Sequence, residues 1–235
     1  MGPMVDAMRV FLIHGMGRSR ASMLFLGARL ARAGMRPSSF GYTVHDTPLD
    51  AIGARFVAHV TETRARDARR TDTNDDDATY AIIGHSLGNV ITRLASSSLP
   101  EGFGRFVMLA PPNRPALLAK RLKSNPVFQA LTGEAGQALG DDAFYARLPR
   151  PTVPTLILAG DGGPRFTWLP FGGRPSDGIV ALDETALEGV PRAVLPALHT
   201  FIMNNAAAQR AVLRFLQTGR LDDDAAPAAA AEEAA

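Results

Sequence analysis

Cysteine is absent from the 235 residues. That single gap removes disulfides, thiolate zinc sites, iron–sulfur clusters and cysteine nucleophiles, and leaves the redox compartment open. Long apolar runs are missing as well. None reaches the roughly 18 residues of a membrane-crossing helix, so no integral membrane segment is expected. The N-terminus has no basic segment followed by an apolar stretch and a small-residue cleavage site, and the sequence as it stands is expected to be cytoplasmic. Lysine is scarce, Lys120 and Lys123 being the whole supply. The arginines that carry the positive charge are not interleaved with aromatics, which gives no reason to expect a nucleic-acid partner. Five of the 23 acidic residues fall after Leu221, leaving 18 against 25 basic residues ahead of it, an excess that is mild and scattered. Chemistry therefore has to come from Ser, His, Asp, Glu and the backbone.

What is present is a chain 46% hydrophobic and 20% charged, enough for one globular domain with a sizeable core. Short apolar, β-rich runs occur at Met8–Ile13, Phe40–Val44, Thr79–Ile83, Phe106–Ala110, Val153–Ala159 and Val190–Leu195. They lack polar alternation, as strands buried on both faces of a parallel sheet do. Helical patterns separate them at Ala21–Ala33, Leu49–Arg70, Leu87–Ser97 and Asn205–Gln217. Strands alternating with helices predict a three-layer α/β domain over residues 1–221, with a mostly parallel sheet of about six strands and ligands at the strands' carboxyl ends. Residues 111–151 break the rhythm, being twice what one crossover needs, and read as a helical cap or lid inserted into the domain. Residues 222–235, with an acid triplet and an alanine-rich remainder, have nothing large to bury and are expected to be disordered.

The sharpest chemical signal is Gly84-His85-Ser86-Leu87-Gly88, directly after a strand run and directly before a helical one. In that context the chain turns abruptly with Ser86 at the tip of a nucleophile elbow, at the N-terminus of a helix whose N–H groups and dipole favour an oxyanion. With Phe11-Leu12-Ile13-His14-Gly15-Met16-Gly17 after the first strand, the sequence resembles the α/β-hydrolase superfamily, in particular its lipase and esterase branch. The resemblance implies an α/β-hydrolase fold and a His-Gly-x-Gly oxyanion loop in which Met16 and Leu87 donate the two N–H groups. A dinucleotide fingerprint is the competitor for Gly15 and Gly17, but its third glycine would fall on Arg20.

In that superfamily the nucleophile, acid and histidine follow one another along the chain. His14, His45 and His59 precede Ser86 and His85 adjoins it, so His199 is the one downstream candidate for general base. Asp177, in Ser176-Asp177-Gly178-Ile179-Val180, resembles the family's acid; Asp161 is the alternative, with Asp183 and Glu184 behind it. His85 is expected to pack beside the elbow, and His59 to sit at the edge of an apolar helix face. Asp72–Asp77 mimics a calcium loop but has Asp77 where glycine is required and Ile83 where the bidentate glutamate belongs. Arg64, Arg66, Arg69 and Arg70 crowd a helix C-terminus, where the dipole favours cations without any ligand. No metal or organic cofactor is implied.

The resemblance thus implies a carboxylesterase or lipase-like enzyme acting through an acyl-enzyme on a small, apolar acyl substrate. Met16, Trp168 and Phe171, with Leu87, Leu169 and the insertion, are expected to wall the pocket. A thioesterase or acyltransferase using Arg18, Arg165 and Arg174 for an anionic carrier shares the same machinery, as does a serine peptidase. A noncatalytic hydrolase-like binding protein is the reading from another class.

Overall fold

A computed structural model describes residues 8–45, 47–71, 79–168 and 170–221; the expected tail at 222–235, the Asp72–Asp77 stretch and Leu169 lie outside the described residues. Six parallel strands form one sheet: β1 (Arg9–Ile13), β2 (Arg36–Phe40), β3 (Tyr80–His85), β4 (Phe103–Leu109), β5 (Thr155–Gly160) and β6 (Arg192–Leu195), in the order β2-β1-β3-β4-β5-β6. Parallel neighbours need crossovers, and these are helices: α1 (Leu24–Arg32) after β1, α2 (Leu49–Thr71) after β2 and α3 (Leu87–Ala95) after β3.

Period-two side-chain alternation divides the sheet's residues between two cores. Phe11, Ile13, Tyr80, Ile82, Phe106, Met108 and Ile157 face α2 and α3, packing with Ile52, Phe56, Val60, Val90 and Ile91. Val10, Leu12, Ala81, Ile83, Val107, Leu109, Leu156 and Leu158 face the other way, against Leu26 and Leu30 of α1 and Val212, Phe215 and Leu216 of the C-terminal helix (Ala206–Thr218). Each such buried side chain contributes about 1.5–3 kcal/mol by leaving water. Because both faces are covered, the central strands read as unbroken apolar runs, and this is why they were legible.

One strand differs from expectation. The second strand is Arg36–Phe40, not Phe40–Val44. As the edge strand paired only with β1, it needs no apolar run, and its Arg-Pro-Ser-Ser-Phe carries half-buried polar residues where the central strands carry Val, Ile and Leu. The apolar residues just beyond it, Tyr42 and Val44, are buried as a loop under the insertion.

The insertion holds three helices, α4 (Leu117–Leu122), α5 (Pro126–Ala138) and α6 (Asp142–Arg147), followed by the C-terminal helix as α7. Asn125 caps α5 by accepting from the N–H groups of Val127 and Phe128, with Pro126 at the first helical position, and Gly133 kinks the helix with φ 53°. Its two ends are tied to the body by Arg93 of α3, whose guanidinium donates to Asn113 Oδ1 (3.1 Å) and to the carbonyls of Leu148 (3.0 Å) and Pro149 (2.7 Å). Burial pulls Arg93 down to about 10, so it remains charged at neutral pH. Glu184, raised by its own burial, holds the start of α4 by accepting from Leu117 N–H at 2.7 Å. On the far side, His45 Nδ1 meets the Ala130 carbonyl at 2.9 Å. The insertion thus reaches from the end of β4 to the loop after β2, and β3 and β1 stand between those two in the sheet.

Candidate active site

The chain leaves β1 for β2 on one side and returns for β3 on the other, so the connections diverge at the carboxyl ends of β1 and β3 and open a crevice there. Both glycine-rich segments sit at this point. Ser86 joins β3 to α3 with φ 52° and ψ −120°, a conformation costing a non-glycine residue about 1–3 kcal/mol. It is held from several directions. Ser86 N–H donates to the Leu109 carbonyl (2.9 Å), and the Ser86 carbonyl accepts from the backbone and side-chain amides of Asn89 (3.0 and 3.1 Å). Asn89 Nδ2 also reaches the Leu109 carbonyl at 3.1 Å. No local pattern in the sequence singles out Asn89, whose side chain acts on backbone carbonyls of two different elements.

The elbow glycines are explained by approach distance. A Cβ on Gly88 would stand 2.6 Å from the Ile13 carbonyl oxygen and 2.9 Å from that of His14, and one on Gly84 would stand 2.8 Å from Asn89 N. Gly15 closes from the other side, where a Cβ would lie 3.0 Å from Ser86 Cβ. The loop of residues 14–17 is therefore packed directly against Ser86. His14 braces it: its ring stacks on Tyr42 (4.4 Å, 3°), Nδ1 lies 2.8 Å from the Gly15 carbonyl, and Nε2 accepts from Tyr42 N–H. Tyr42 O–H donates to the His14 carbonyl at 2.7 Å, and burial lowers His14, so it stays neutral. Met16 is half-buried in the turn closed by Arg18 N–H to the Gly15 carbonyl, while Leu87 heads α3, where no intrahelical acceptor is available to its N–H.

His199 and Asp177 are brought together. His199 Nδ1 lies 2.7 Å from Asp177 Oδ2, with both side chains nearly fully buried, and His199 N–H donates to the Asp177 carbonyl at 3.0 Å. Asp177 Oδ1 meanwhile accepts from Ile179 N–H (2.9 Å) and Val180 N–H (2.7 Å). An ionised carboxylate can only accept, so Nδ1 is the donor in this contact, and in the neutral imidazole Nε2 is then the acceptor. Asp161 goes elsewhere, pairing with Arg165 at 2.9 Å, and Asp183 pairs with Arg174 at 3.1 Å.

His85 links the two halves of the site. Its Nε2 lies 2.9 Å from the His199 carbonyl and its ring is 4.9 Å from that of His199. Burial, with His199 beside it, pushes its pKa well below the ordinary value; Nε2–H is the donor because a carbonyl can only accept, and the bare Nδ1, beside Gly15, has no partner among the described residues. Of the expected pocket walls, Phe171 is buried, whereas Trp168 is exposed and stacked on Phe166. Among the described residues no cluster of His, Asp and Glu is arranged to hold a metal ion, and no helix is long and apolar enough to cross a membrane.

The same architecture recurs in solved hydrolases. The chain is similar to the mature form of the Bacillus licheniformis lipase BlEst2, at 15% identity and a TM-score of 0.70 over 92% of this chain and 94% of that one. It is similar to an extracellular α/β-hydrolase from a Paenibacillus species (13%, TM-score 0.58, 91% and 99%) and to a thermophilic esterase from Thermogutta terrifontis (13%, TM-score 0.57, 91% and 91%). The chain has the α/β-hydrolase fold. At these identities the likeness carries the fold alone. No family model and no curated protein sequence matches the chain.

Proposed function

We propose that the protein is a serine hydrolase of carboxylic esters, with Ser86 as nucleophile, His199 as general base and Asp177 as the acid that orients it. The observation that carries this reading is the buried 2.7 Å contact between His199 and Asp177, hydrogen-bonded to the residue that precedes a strained Ser86. In the reaction Ser86 Oγ attacks the ester carbonyl as its proton passes to His199 Nε2, and the N–H groups of Met16 and Leu87 receive the developing oxyanion. His199 then returns the proton to the departing alcohol. Water, deprotonated by His199, attacks the acyl-Ser86 carbonyl; the carboxylic acid leaves and the proton goes back to Ser86.

An apolar acyl group suits the surroundings. Ile179, Leu198 and Phe201 flank the pair in sequence and are all exposed, as are Phe166 and Trp168. Met16, Trp168 and Phe171 are the residues we assign to acyl contact, with the 111–151 insertion as a cap. An anionic acyl carrier would draw on Arg18, Arg165 and Arg174, of which Arg165 and Arg174 already pair with Asp161 and Asp183.

A p-nitrophenyl ester series from acetate to decanoate, run beside an acyl-CoA panel, tests the reading. Hydrolysis of the esters is expected, with kcat/KM rising by about tenfold or more from acetate to a medium-chain ester, since each added CH2 buried is worth about 0.8 kcal/mol. No hydrolysis of any ester would overturn the reading, and equal rates at every chain length would remove its apolar pocket.

A further inference from the structure

The strand that departed from expectation, β2, floors a feature the hydrolase reading does not use. A cavity of about 570 Å³ opens along this edge of the sheet, between α2 and the 3₁₀ turn Arg20–Met23. Its lining includes Ser38 and Ser39 from β2, Arg20 from the turn, and His59, Arg66 and Arg69 from α2. The two serines are small, polar and half-buried where a strand serving only the core would bring a branched apolar side chain.

Among the described residues the charge lining this cavity is unbalanced. Arg9 and Asp67 also line it, but they neutralise each other through a bidentate pair, Nε to Oδ2 at 2.7 Å and Nη2 to Oδ1 at 2.6 Å. Among the described residues Arg20, Arg66 and Arg69 form no ion pair; the Arg66 contacts are with the Glu62 carbonyl and Thr63 Oγ1. Three cations from two separate elements are left facing one concavity. His59 lies in the same field: burial first and then Arg66 lower its pKa, Glu62 pulls the other way, and Arg20 and Arg9 add smaller downward pulls. Its Nε2 lies 3.1 Å from Ser38 Oγ. The Ser38 and Ser39 hydroxyls add neutral donors.

We infer that this cavity is a second, noncatalytic site, binding the phosphate dianion of a small soluble phosphomonoester or diphosphate. Guanidinium groups and hydroxyls together match a phosphate's several acceptor oxygens, whereas a carboxylate would engage only part of the set. The inference stands apart from ester hydrolysis, since neither Ser86 nor His199 lines the cavity.

Titration calorimetry of the full chain with inorganic pyrophosphate, and with phosphate, at constant ionic strength tests it. Saturable binding of pyrophosphate is expected, with acetate at the same concentration giving none. Arg66→Ala and Arg20→Ala should each weaken it by about tenfold or more, and Arg66→Lys by less than Arg66→Ala. Circular dichroism establishes that these variants are folded. Should one fail to fold, Arg69→Ala, on an exposed side chain, takes its place. In NMR titrations bound pyrophosphate should raise the pKa of His59. Equal binding by wild type and folded variants, or no saturation, would overturn the site. So would binding confined to phosphatidic acid vesicles, which would make this edge a lipid-headgroup surface. Pyrophosphate should leave ester hydrolysis unblocked. Loss of activity in parallel with binding would place the anion in the Ser86 crevice instead.

Discussion

Ser86→Ala is expected to lower ester hydrolysis by about 10⁴-fold or more while leaving the protein folded. The variant removes one hydroxyl from a half-buried side chain, and that oxygen is not what maintains the elbow. Ser86 is held through its backbone, by its N–H to Leu109 and by its carbonyl to Asn89, and alanine keeps both contacts. The strain at φ 52° belongs to the backbone too and is imposed equally on alanine. Its denaturation midpoint should therefore match that of the wild type while turnover collapses. Activity within tenfold of wild type would mean that another group attacks the ester.

Asp177→Asn is expected to reduce kcat by about 10³ to 10⁴-fold, and Asp161→Asn to leave it nearly unchanged. The reason lies in the partners of Asp177. Oδ1 accepts two backbone N–H groups, from Ile179 and Val180, so an asparagine keeps its oxygen there and turns its NH2 toward His199. His199 Nδ1 then has to accept, the ring proton moves to Nε2, and the base has no lone pair facing the serine. Asp161 loses only a partly exposed pair with Arg165, worth at most about 1 kcal/mol. Steady-state kinetics on both variants decide the matter, and a large loss at Asp161 with normal rates at Asp177 would reverse the roles.

Much of the fold is legible in the sequence. Strands such as Tyr80–His85 and Thr155–Gly160 are buried on both faces, so an unbroken apolar run identified them. The glycines around Ser86 are legible because they answer a local demand: the Ile13 and His14 carbonyls would stand within 3 Å of any Cβ at position 88. The choice among Asp177, Asp161, Asp183 and Glu184 is open in the sequence, since spacing along the chain cannot say which carboxylate turns inward; in the structure Arg165 engages Asp161, Arg174 engages Asp183, and Glu184 accepts from Leu117 N–H. Edge strand β2 was misplaced because its polar residues carry none of the apolar signal a central strand has. Asn89 and Arg93 act through contacts with residues at the ends of other elements, which no local pattern announces, whereas the place of His85 beside the elbow is legible and only its reach to the His199 carbonyl is not.

The central claim is that Ser86 is an activated nucleophile, and covalent trapping tests it without knowledge of the natural substrate. The intact protein would be incubated with a fluorophosphonate and mapped by peptide mass spectrometry. One phosphonyl group on Ser86 is predicted, forming much more slowly in His199→Ala and Asp177→Asn, because displacement of fluoride requires the same deprotonated serine. An unlabelled Ser86 in folded protein, or labelling at the same rate in all three proteins, would contradict the account and favour a hydrolase-like fold that binds its ligand without cleaving it.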